Sequence, residues 1–218
     1  MAREIAHRHL AAGDALGWFE ELYARAKGDA SIIPWADLTP NPNLVSWLDE
    51  HQIVGTSRTA LKVGCGLGDD AEELARRGFS TTAFDISESA IAWCQTRYPR
   101  SAVSYVVADL LHAPPEWRGK FDFVLESYTL QVLPPRIRRD AIEHLVSFVA
   151  CHGTLLVIAR GREPSDPEDN MPWPLTGDEL GAFRSLGLSE VRFEDYLDDE
   201  TPSVRRFRVT YRKEQMKE

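Results

Sequence analysis

The stretch "ALKVGCGLGDDAEELARRG", residues 60–78, decides the fold of this chain. An apolar run enters a turn that has glycine at three alternate positions, Gly64, Gly66 and Gly68, and a helical pattern follows. Glycine lets a ligand approach the backbone closely, and the start of a helix offers N–H groups that have no partner within the helix. The pattern G-x-G-x-G between a strand and a helix therefore indicates a nucleotide-binding turn.

A carboxylate follows near the end of the next apolar run. Residues 81–86, TTAFDI, predict a second strand, and Asp85 lies close to its carboxyl end. A carboxylate there can accept hydrogen bonds from both hydroxyls of a ribose. A nicotinamide dinucleotide is the alternative ligand, but its fingerprint is G-x-G-x-x-G, and Asp69 and Asp70 at the helix start would repel its pyrophosphate. The sequence favours a nucleoside that carries an amino acid with its ammonium group.

Strands and helices alternate from residue 59 onward, and the apolar run TALKV predicts the first strand over 59–63. Further apolar patterns predict strands over 103–109, 121–127 and 153–159, and a helix over 136–150. Thr176 and Glu179 predict a capping box at one more helix. The last two β-rich runs, within 191–213, have no helix between them and should pair as an antiparallel hairpin. The expected fold is α/β and Rossmann-like, with a seven-stranded, mostly parallel sheet, a C-terminal antiparallel hairpin and helices on both faces.

Composition limits the class of protein and its partners. The 218 residues are 43% hydrophobic and 27% charged, which is typical of a globular protein with one domain. A net charge of −9 argues against nucleic acid as a partner, and no apolar run is long enough to span a bilayer. The cysteines Cys65, Cys94 and Cys151 lack metal-site spacing, so free thiols in the cytoplasm are expected. We expect a monomer or homodimer that binds neither nucleic acid nor a membrane.

The amino terminus and the basic clusters carry less information. Residues 14–27 have apolar groups at helical spacing, and Gly28 suits the end of that helix. His7 and His9 are expected in a mobile terminus. The clusters at 136–139 and 205–208 each hold three arginines, and both are expected to be solvated faces.

Together these motifs resemble the class I S-adenosylmethionine-dependent methyltransferases. VGCGLG resembles the first motif of that family, VVADLL its adenine-contacting motif, and FDFVLESYTLQVLPP its strand and loop beside the reactive methyl group. FEELY and PWADLTPNPNL resemble the amino-terminal segment of the thiopurine and halide methyltransferase subgroup. The resemblance implies a helical cap over residues 1–58, a cofactor-binding core over 59–218, S-adenosylmethionine as cofactor and S-adenosylhomocysteine as product.

The resemblance also assigns the cofactor-binding residues. They are Gly64, Gly66 and Gly68 along the methionine part, Asp85 and Ile86 at the ribose, Asp109 and Leu110 at the adenine, Glu126 and Ser127 beside the methionine and sulfonium, and Phe19, Tyr23 and Trp35 as an aromatic cover. Phe19 and Tyr23 lie one turn apart on a helix and fit a plain core equally well. Asp109 has a second interpretation as the cap of the turn that follows it.

The family usually has an acid two positions before the first glycine, and this chain has Lys62 there. A lysine cannot hold the cofactor's ammonium group. The hypothesis is that Asp69, Asp70 or Glu126 supplies the negative charge. Lys62 then pairs with one of these acids or with the cofactor carboxylate.

The acceptor pocket is predicted over the strand ends. Its candidate residues are Trp35, Tyr128, Gln131, Arg160 and Trp173. The loop over 160–175 is long and aromatic, and a substrate lid is favoured over an acidic surface loop. The histidine spacing predicts no metal site, and a general base is optional for an activated sulfonium donor.

The sequence thus predicts an enzyme that moves a methyl group from S-adenosylmethionine to an O, S, N or halide nucleophile of a small molecule by in-line displacement. Glu126-Ser127-Tyr128-Thr129 stands where enzymes that methylate base amino groups carry a different motif. The alternative is a non-catalytic module or partner subunit that keeps the fold and the cofactor site.

Overall fold

The structure of the protein is a computed structural model, which describes residues 1–167 and 171–215. The chain divides into two compact units, Met1–His112 and Ala113–Glu218. The helices of the first unit are α1 Ala2–Ala11, α2 Gly17–Ala26, α3 Pro42–Glu50, α4 Asp69–Arg76 and α5 Glu88–Arg97. Those of the second unit are α6 Pro135–Phe148 and α7 Gly177–Ser185. No helix in the described ranges is long and apolar enough to cross a membrane.

The first unit holds three parallel strands, β1 Thr59–Val63, β2 Ser80–Asp85 and β3 Ser104–Val107, in the order β3-β2-β1. Val63 pairs with Phe84, and Asp85 pairs with Val107. Parallel strands bring their carboxyl ends to one edge of a sheet. This register therefore places the glycine turn after β1, Asp85 at the end of β2 and Asp109 after β3 along the same edge.

The second unit holds β4 Phe121–Ser127, β5 Val149–Arg160, β6 Leu188–Leu197 and β7 Arg205–Lys213, in the order β4-β5-β7-β6. β4 and β5 are parallel, whereas β7 runs antiparallel to both β5 and β6. Seven strands, their mostly parallel direction and the terminal hairpin are confirmed. β1 and β4 have the predicted bounds, and the capping box of Thr176 and Glu179 begins α7.

The expectation of a mobile amino terminus is wrong, because residues 2–11 form α1. Ile5 and Ala6 are buried, and His9 of α1 contacts two carboxylates. His9 Nδ1 lies 2.7 Å from Asp14 Oδ2, and its Nε2 lies 2.6 Å from Glu21 Oε2 in α2. Arg8 and Arg25 also pair with Glu21. Glu21 of α2, together with Asp14 just before that helix, therefore holds α1 in place.

The expectation that both basic clusters are solvated holds only in part: two of the three arginines in 136–139 are exposed, but one there and two in 205–208 are buried. Arg138, Arg206 and Arg208 are buried, with exposures of 5%, 2% and 6%. Arg138 pairs with Glu179 at 2.5 Å, Arg206 with Asp198 at 2.6 Å and Arg208 with Glu194 at 2.8 Å. Carboxylates distant in sequence make this burial tolerable, because a buried charge needs a partner.

The contact between His9 and α2 should depend on pH. Hydrogen bonds to Glu21 and Asp14 raise the pKa of His9 above its ordinary value, because the protonated ring donates to both carboxylates. A raised folded-state pKa adds stability that is complete below the unfolded pKa and disappears as pH rises through the folded pKa. We expect the unfolding free energies of wild type and His9→Ala to differ most at mildly acidic pH and to converge at higher pH.

Urea unfolding at several pH values measures this convergence, and a nuclear magnetic resonance titration measures the pKa of His9 directly. Exposed His7 on the same helix is the internal reference. A difference between the two proteins that stays constant with pH would contradict the assignment.

Candidate functional site

The glycine turn follows the last residue of β1 and ends where α4 begins. Gly66 and Gly68 both have left-handed backbones, with φ of 55° and 92°. A Cβ added to Gly66 would lie 3.3 Å from the Tyr23 hydroxyl oxygen and 3.8 Å from Trp35 Nε1. A Cβ added to Gly68 would lie 2.6 Å from the Tyr105 hydroxyl. Gly66 thus faces the predicted aromatic cover, whereas Gly68 permits close packing against β3.

Asp85 lies at the end of β2 with only 7% of its surface exposed. Its Oδ2 accepts a hydrogen bond from the Gly66 N–H at 3.0 Å, and its Oδ1 accepts one from the Ser87 N–H at 3.1 Å. Burial raises the pKa of Asp85, while these backbone donors and the charge of Lys62 lower it in part. Each carboxylate oxygen can accept a second hydrogen bond. The side chain therefore fixes the glycine turn and keeps capacity for a ligand.

An aromatic cluster stands beside the glycine turn. Trp35 Nε1 donates a hydrogen bond to the Tyr23 hydroxyl at 2.8 Å. Phe19 stacks on Trp18 with 3.9 Å between ring centroids, and Trp18 meets the edge of Trp35 at 5.9 Å. The structure brings together the three predicted cover residues Phe19, Tyr23 and Trp35. Sequence reasoning missed Trp18, which is fully buried beneath them, because its place in the helix resembles that of an ordinary core residue.

Lys62 is buried in β1, with 3% exposed. Its Nζ donates hydrogen bonds to the carbonyl oxygens of Val63 at 2.8 Å and Gly64 at 3.2 Å, and it lies 3.9 Å from Asp70 Oδ2. Of the partners predicted for Lys62, the structure places Asp70 beside it. Burial raises the pKa of Asp70, and the charge of Lys62 opposes this shift.

Asp69 is held away from that pair. Its carboxylate accepts hydrogen bonds from Arg97 at 2.8 and 2.9 Å and from the Tyr98 hydroxyl at 2.9 Å. Asp70 additionally accepts a hydrogen bond from the Asn41 N–H at 2.8 Å. Both acids at the start of α4 thus have protein partners. The idea that one of them holds an ammonium group stays a prediction.

The predicted adenine and ribose neighbours lie on the same strand edge. Asp109 accepts a hydrogen bond from the Leu111 N–H at 2.9 Å and lies 2.8 Å from His112 Nδ1. In this geometry Asp109 caps the turn that follows it, which is the second interpretation of this residue. Leu110 is buried and Ile86 is half-buried. A ligand-binding role for these three residues stays a prediction.

The second unit carries the remaining candidates at the end of β4. Glu126 is fully buried, and its Oε1 accepts hydrogen bonds from the N–H groups of Thr129 at 2.7 Å and Leu130 at 2.8 Å. Ser127 is buried as well. Tyr128 has a left-handed backbone with φ of 65°, and the Arg206 guanidinium lies 4.7 Å from the centre of its ring. Glu126 therefore organises the turn that presents Tyr128.

Gln131 fastens the predicted lid loop at its base. Its side-chain Oε1 accepts a hydrogen bond from the Arg160 N–H at 2.7 Å, and its carbonyl oxygen accepts one from the Trp173 N–H at 2.7 Å. Arg160 and Leu175 pair through a backbone hydrogen bond of 2.8 Å. Residues 168–170 of this loop lie outside the described residues. Gln131, Arg160 and Trp173 thus come together in one network.

No group of His, Cys, Asp or Glu that could hold a metal ion occurs among residues 1–167 and 171–215. The three cysteines are free, with Cys65 and Cys94 buried. The Cys94 thiol donates a hydrogen bond to the Gly66 carbonyl oxygen at 3.1 Å.

Residues 60–153 match a family model that is described as a methyltransferase domain. The ubiquinone biosynthesis O-methyltransferase of Pseudomonas paraeruginosa is 34% identical over 96 residues, which are 43% of this chain and 41% of that protein. The chain thus spans less than half the length of this relative.

Two solved structures share the fold over most of the chain. One is the 1,6-didemethyltoxoflavin-N1-methyltransferase of Burkholderia thailandensis with bound 1,6-didemethyltoxoflavin and S-adenosylhomocysteine, with a TM-score of 0.73, 17% identity and coverage of 96% of this chain and 90% of that one. The other is an N-methyltransferase of Bradyrhizobium japonicum in complex with S-adenosylhomocysteine, with a TM-score of 0.68, 19% identity and coverage of 89% and 97%. The predicted resemblance to class I S-adenosylmethionine-dependent methyltransferases and the predicted fold are confirmed. The thiopurine and halide subgroup stays a prediction.

Proposed function

We propose that this protein, with its class I methyltransferase fold, is an enzyme that transfers a methyl group from S-adenosylmethionine to a small-molecule acceptor. The observation that carries the proposal is the position of Asp85. This buried carboxylate at the end of β2 is hydrogen-bonded to the Gly66 N–H of the glycine turn. The relatives are named as methyltransferases, which favours an enzyme over the non-catalytic alternative.

The residues of the first unit fit S-adenosylmethionine. Asp85 offers a negative charge with unused acceptor capacity, which suits the two ribose hydroxyls. Gly66 has no side chain toward Tyr23 and Trp35, so backbone and aromatic rings approach each other closely there. Aromatic rings attract a cation through their faces, and a sulfonium is a cation. The same residues disfavour a dinucleotide, because the carboxylates of Asp69 and Asp70 at the start of α4 would repel its pyrophosphate.

Bound S-adenosylmethionine supplies a methyl group activated by the positive charge of its sulfur. Asp85 would orient the ribose, and Asp109 with Leu110 would border the adenine. Trp35, Tyr23 and Phe19, within the proposed cap of residues 1–58, would exclude water and stabilise the sulfonium. Alignment of donor and nucleophile can contribute about 7–11 kcal/mol of barrier reduction, so a general base is not required for every acceptor.

The acceptor is assigned to the second unit. Tyr128, Gln131, Arg160 and Trp173 are its proposed pocket residues. Tyr128 supports this assignment, because strained backbones such as its φ of 65° cluster at functional sites. The names of the relatives include both O- and N-methyltransferases, so O, S, N and halide nucleophiles all remain candidates. We further propose a cytoplasmic location, which the free cysteines support.

Calorimetric titration of S-adenosylmethionine and S-adenosylhomocysteine tests the proposal. We expect micromolar affinity for the wild type and a loss of roughly a hundredfold or more in Asp85→Ala, because two hydrogen bonds to a charged group are removed. Asp140→Ala is the matched control, since Asp140 is an exposed aspartate on α6. Acceptors are then screened by S-adenosylhomocysteine release. A wild type that binds neither ligand would overturn the proposal.

A further inference from the structure

Glu20 connects the helix that carries the aromatic residues to the turn that follows Asp85. Its Oε2 accepts hydrogen bonds from the Ser87 hydroxyl at 2.6 Å and the Ser89 N–H at 3.1 Å, and its Oε1 accepts one from the Ser89 hydroxyl at 2.6 Å. The three donors belong to the first turn of α5 and its N-cap. A carboxylate is favoured there, because the start of a helix carries partial positive charge.

Ser87 links Glu20 to Asp85 through hydrogen bonds to both carboxylates. Ser87 is fully buried, its N–H donates to Asp85 Oδ1 at 3.1 Å, and its hydroxyl accepts from the Ala90 N–H at 3.0 Å. The hydroxyl proton is therefore directed at Glu20, since the oxygen is engaged by Ala90. Burial raises the pKa of Glu20, but the hydrogen bonds from Ser87 and Ser89 outweigh it and lower the pKa, so the side chain is charged at neutral pH.

The other end of the connection is the aromatic cluster. Glu20 lies directly after Trp18 and Phe19 in α2, and Tyr23 follows one turn later. The Tyr23 hydroxyl accepts from Trp35 Nε1 and stands over Gly66. α2 therefore contacts the strand edge at two places, through Glu20 near the ribose carboxylate and through Tyr23 over the glycine turn.

We propose that Glu20 is a positioning residue, which holds the aromatic cover in register with Asp85 so that ribose and sulfonium are bound together. The inference rests on the proposed function, since it assigns a role in the same cofactor site. Neither the glycine motif nor the aromatic pattern points to Glu20, because its partners Ser87 and Ser89 lie far away in sequence.

The test measures the affinities of S-adenosylmethionine, S-adenosylhomocysteine and adenosine for wild type and Glu20→Gln by calorimetry. Glutamine keeps the size of the side chain but offers one acceptor oxygen instead of two. We expect all three affinities to fall, that of S-adenosylmethionine by about ten- to a hundredfold. Preference for S-adenosylmethionine over S-adenosylhomocysteine should also decrease, because only the former carries a sulfonium, and the rings then lose contact with that cation.

Glu21→Gln is the matched control. Glu21 is the next residue of α2 and contacts Arg8, His9 and Arg25, so its replacement should weaken the attachment of α1 and leave the three affinities unchanged. A lower melting temperature alone would not alter the ratio of two affinities measured on folded protein. Ser89→Ala removes one donor to Glu20 and should shift the affinities in the same direction by a smaller factor, even if Glu20→Gln folds poorly.

The outcomes separate the two proposals. If the wild type binds none of the three ligands, the proposed function fails. If the wild type binds them and both Glu20→Gln and Ser89→Ala bind them with unchanged affinities and ratio, Glu20 has no positioning role. In the double variant Glu20→Gln/Ser89→Ala, an effect no larger than that of Glu20→Gln alone would support a shared contact, and full additivity of the two effects would contradict it.

Discussion

Replacement of Lys62 by methionine is expected to destabilise the protein by about 3–5 kcal/mol, since removal of one partner leaves a buried charge uncompensated. The melting temperature should fall by roughly 6–20 °C for a chain of this size. Lys62 is 3% exposed and lies 3.9 Å from Asp70 Oδ2, and its charge also opposes the burial of Asp85. Methionine keeps the length and apolar character of the stem, so the loss of charge dominates.

The stability lost in Lys62→Met should depend on pH in a defined direction. Burial already raises the pKa of Asp70 and of Asp85, and without Lys62 both values should rise further. A raised folded-state pKa gives stability that is complete below the unfolded pKa and is lost as pH rises through the folded pKa. Lys62→Met should therefore be most destabilised at neutral pH and approach wild type as pH falls. Chemical unfolding at a series of pH values measures the difference.

The double variant Lys62→Met/Asp70→Asn separates structure from ligand binding. Both charges of the pair are removed, so most of the lost stability at neutral pH should return. If this variant also binds S-adenosylmethionine like wild type, Lys62 serves only the fold. A weaker affinity in a stable double variant would assign the pair a part in ligand binding, through Lys62 at the ligand carboxylate or through Asp70 at its ammonium group. A double variant no more stable than Lys62→Met would contradict the ion-pair explanation.

Local patterns in the sequence predicted the strands and the terminal hairpin well, because short apolar runs between turns have few alternative structures. β1 and β4 have the predicted bounds, and the Thr176 capping box is present. Helix α1 was missed because half of its ten residues are polar and its attachment depends on Asp14 and Glu21. That attachment is tertiary, and the histidine spacing within α1 carries no sign of it.

Only the local part of the candidate functional site was predicted, because sequence patterns carry no sign of tertiary contacts. Asp85 and the glycines belong to one local motif, so their meeting follows from a strand, a turn and a helix. The partners of Glu20 and Arg138 come from distant elements, and nothing in the surrounding residues identifies them. Lys62 lies between these cases, since an acid among Asp69, Asp70 and Glu126 was expected beside it, but only the fold selects Asp70.

Substitution of Gly66 by alanine is expected to reduce the affinity for S-adenosylmethionine by roughly tenfold or more. A tenfold change corresponds to a loss of about 1.4 kcal/mol in binding free energy, which displaced contacts with the ligand can account for. An added Cβ would lie 3.3 Å from the Tyr23 hydroxyl, which already accepts a hydrogen bond from Trp35. The turn cannot easily rotate away, since the Gly66 N–H donates to Asp85 and its carbonyl accepts from Cys94. The aromatic rings must therefore shift.

Gly28→Ala is the matched control for backbone strain. Gly28 has φ of 88°, and a Cβ there meets nothing within 4 Å. Both variants should lose about 1–2 kcal/mol of stability, because an L residue is strained in the left-handed region. Gly66→Ala alone should lose affinity in calorimetry, because only there does the new methyl group meet Tyr23. Equal affinities for the two variants would mean that the space over Gly66 is not part of the ligand site, and the aromatic cluster would then be an ordinary core.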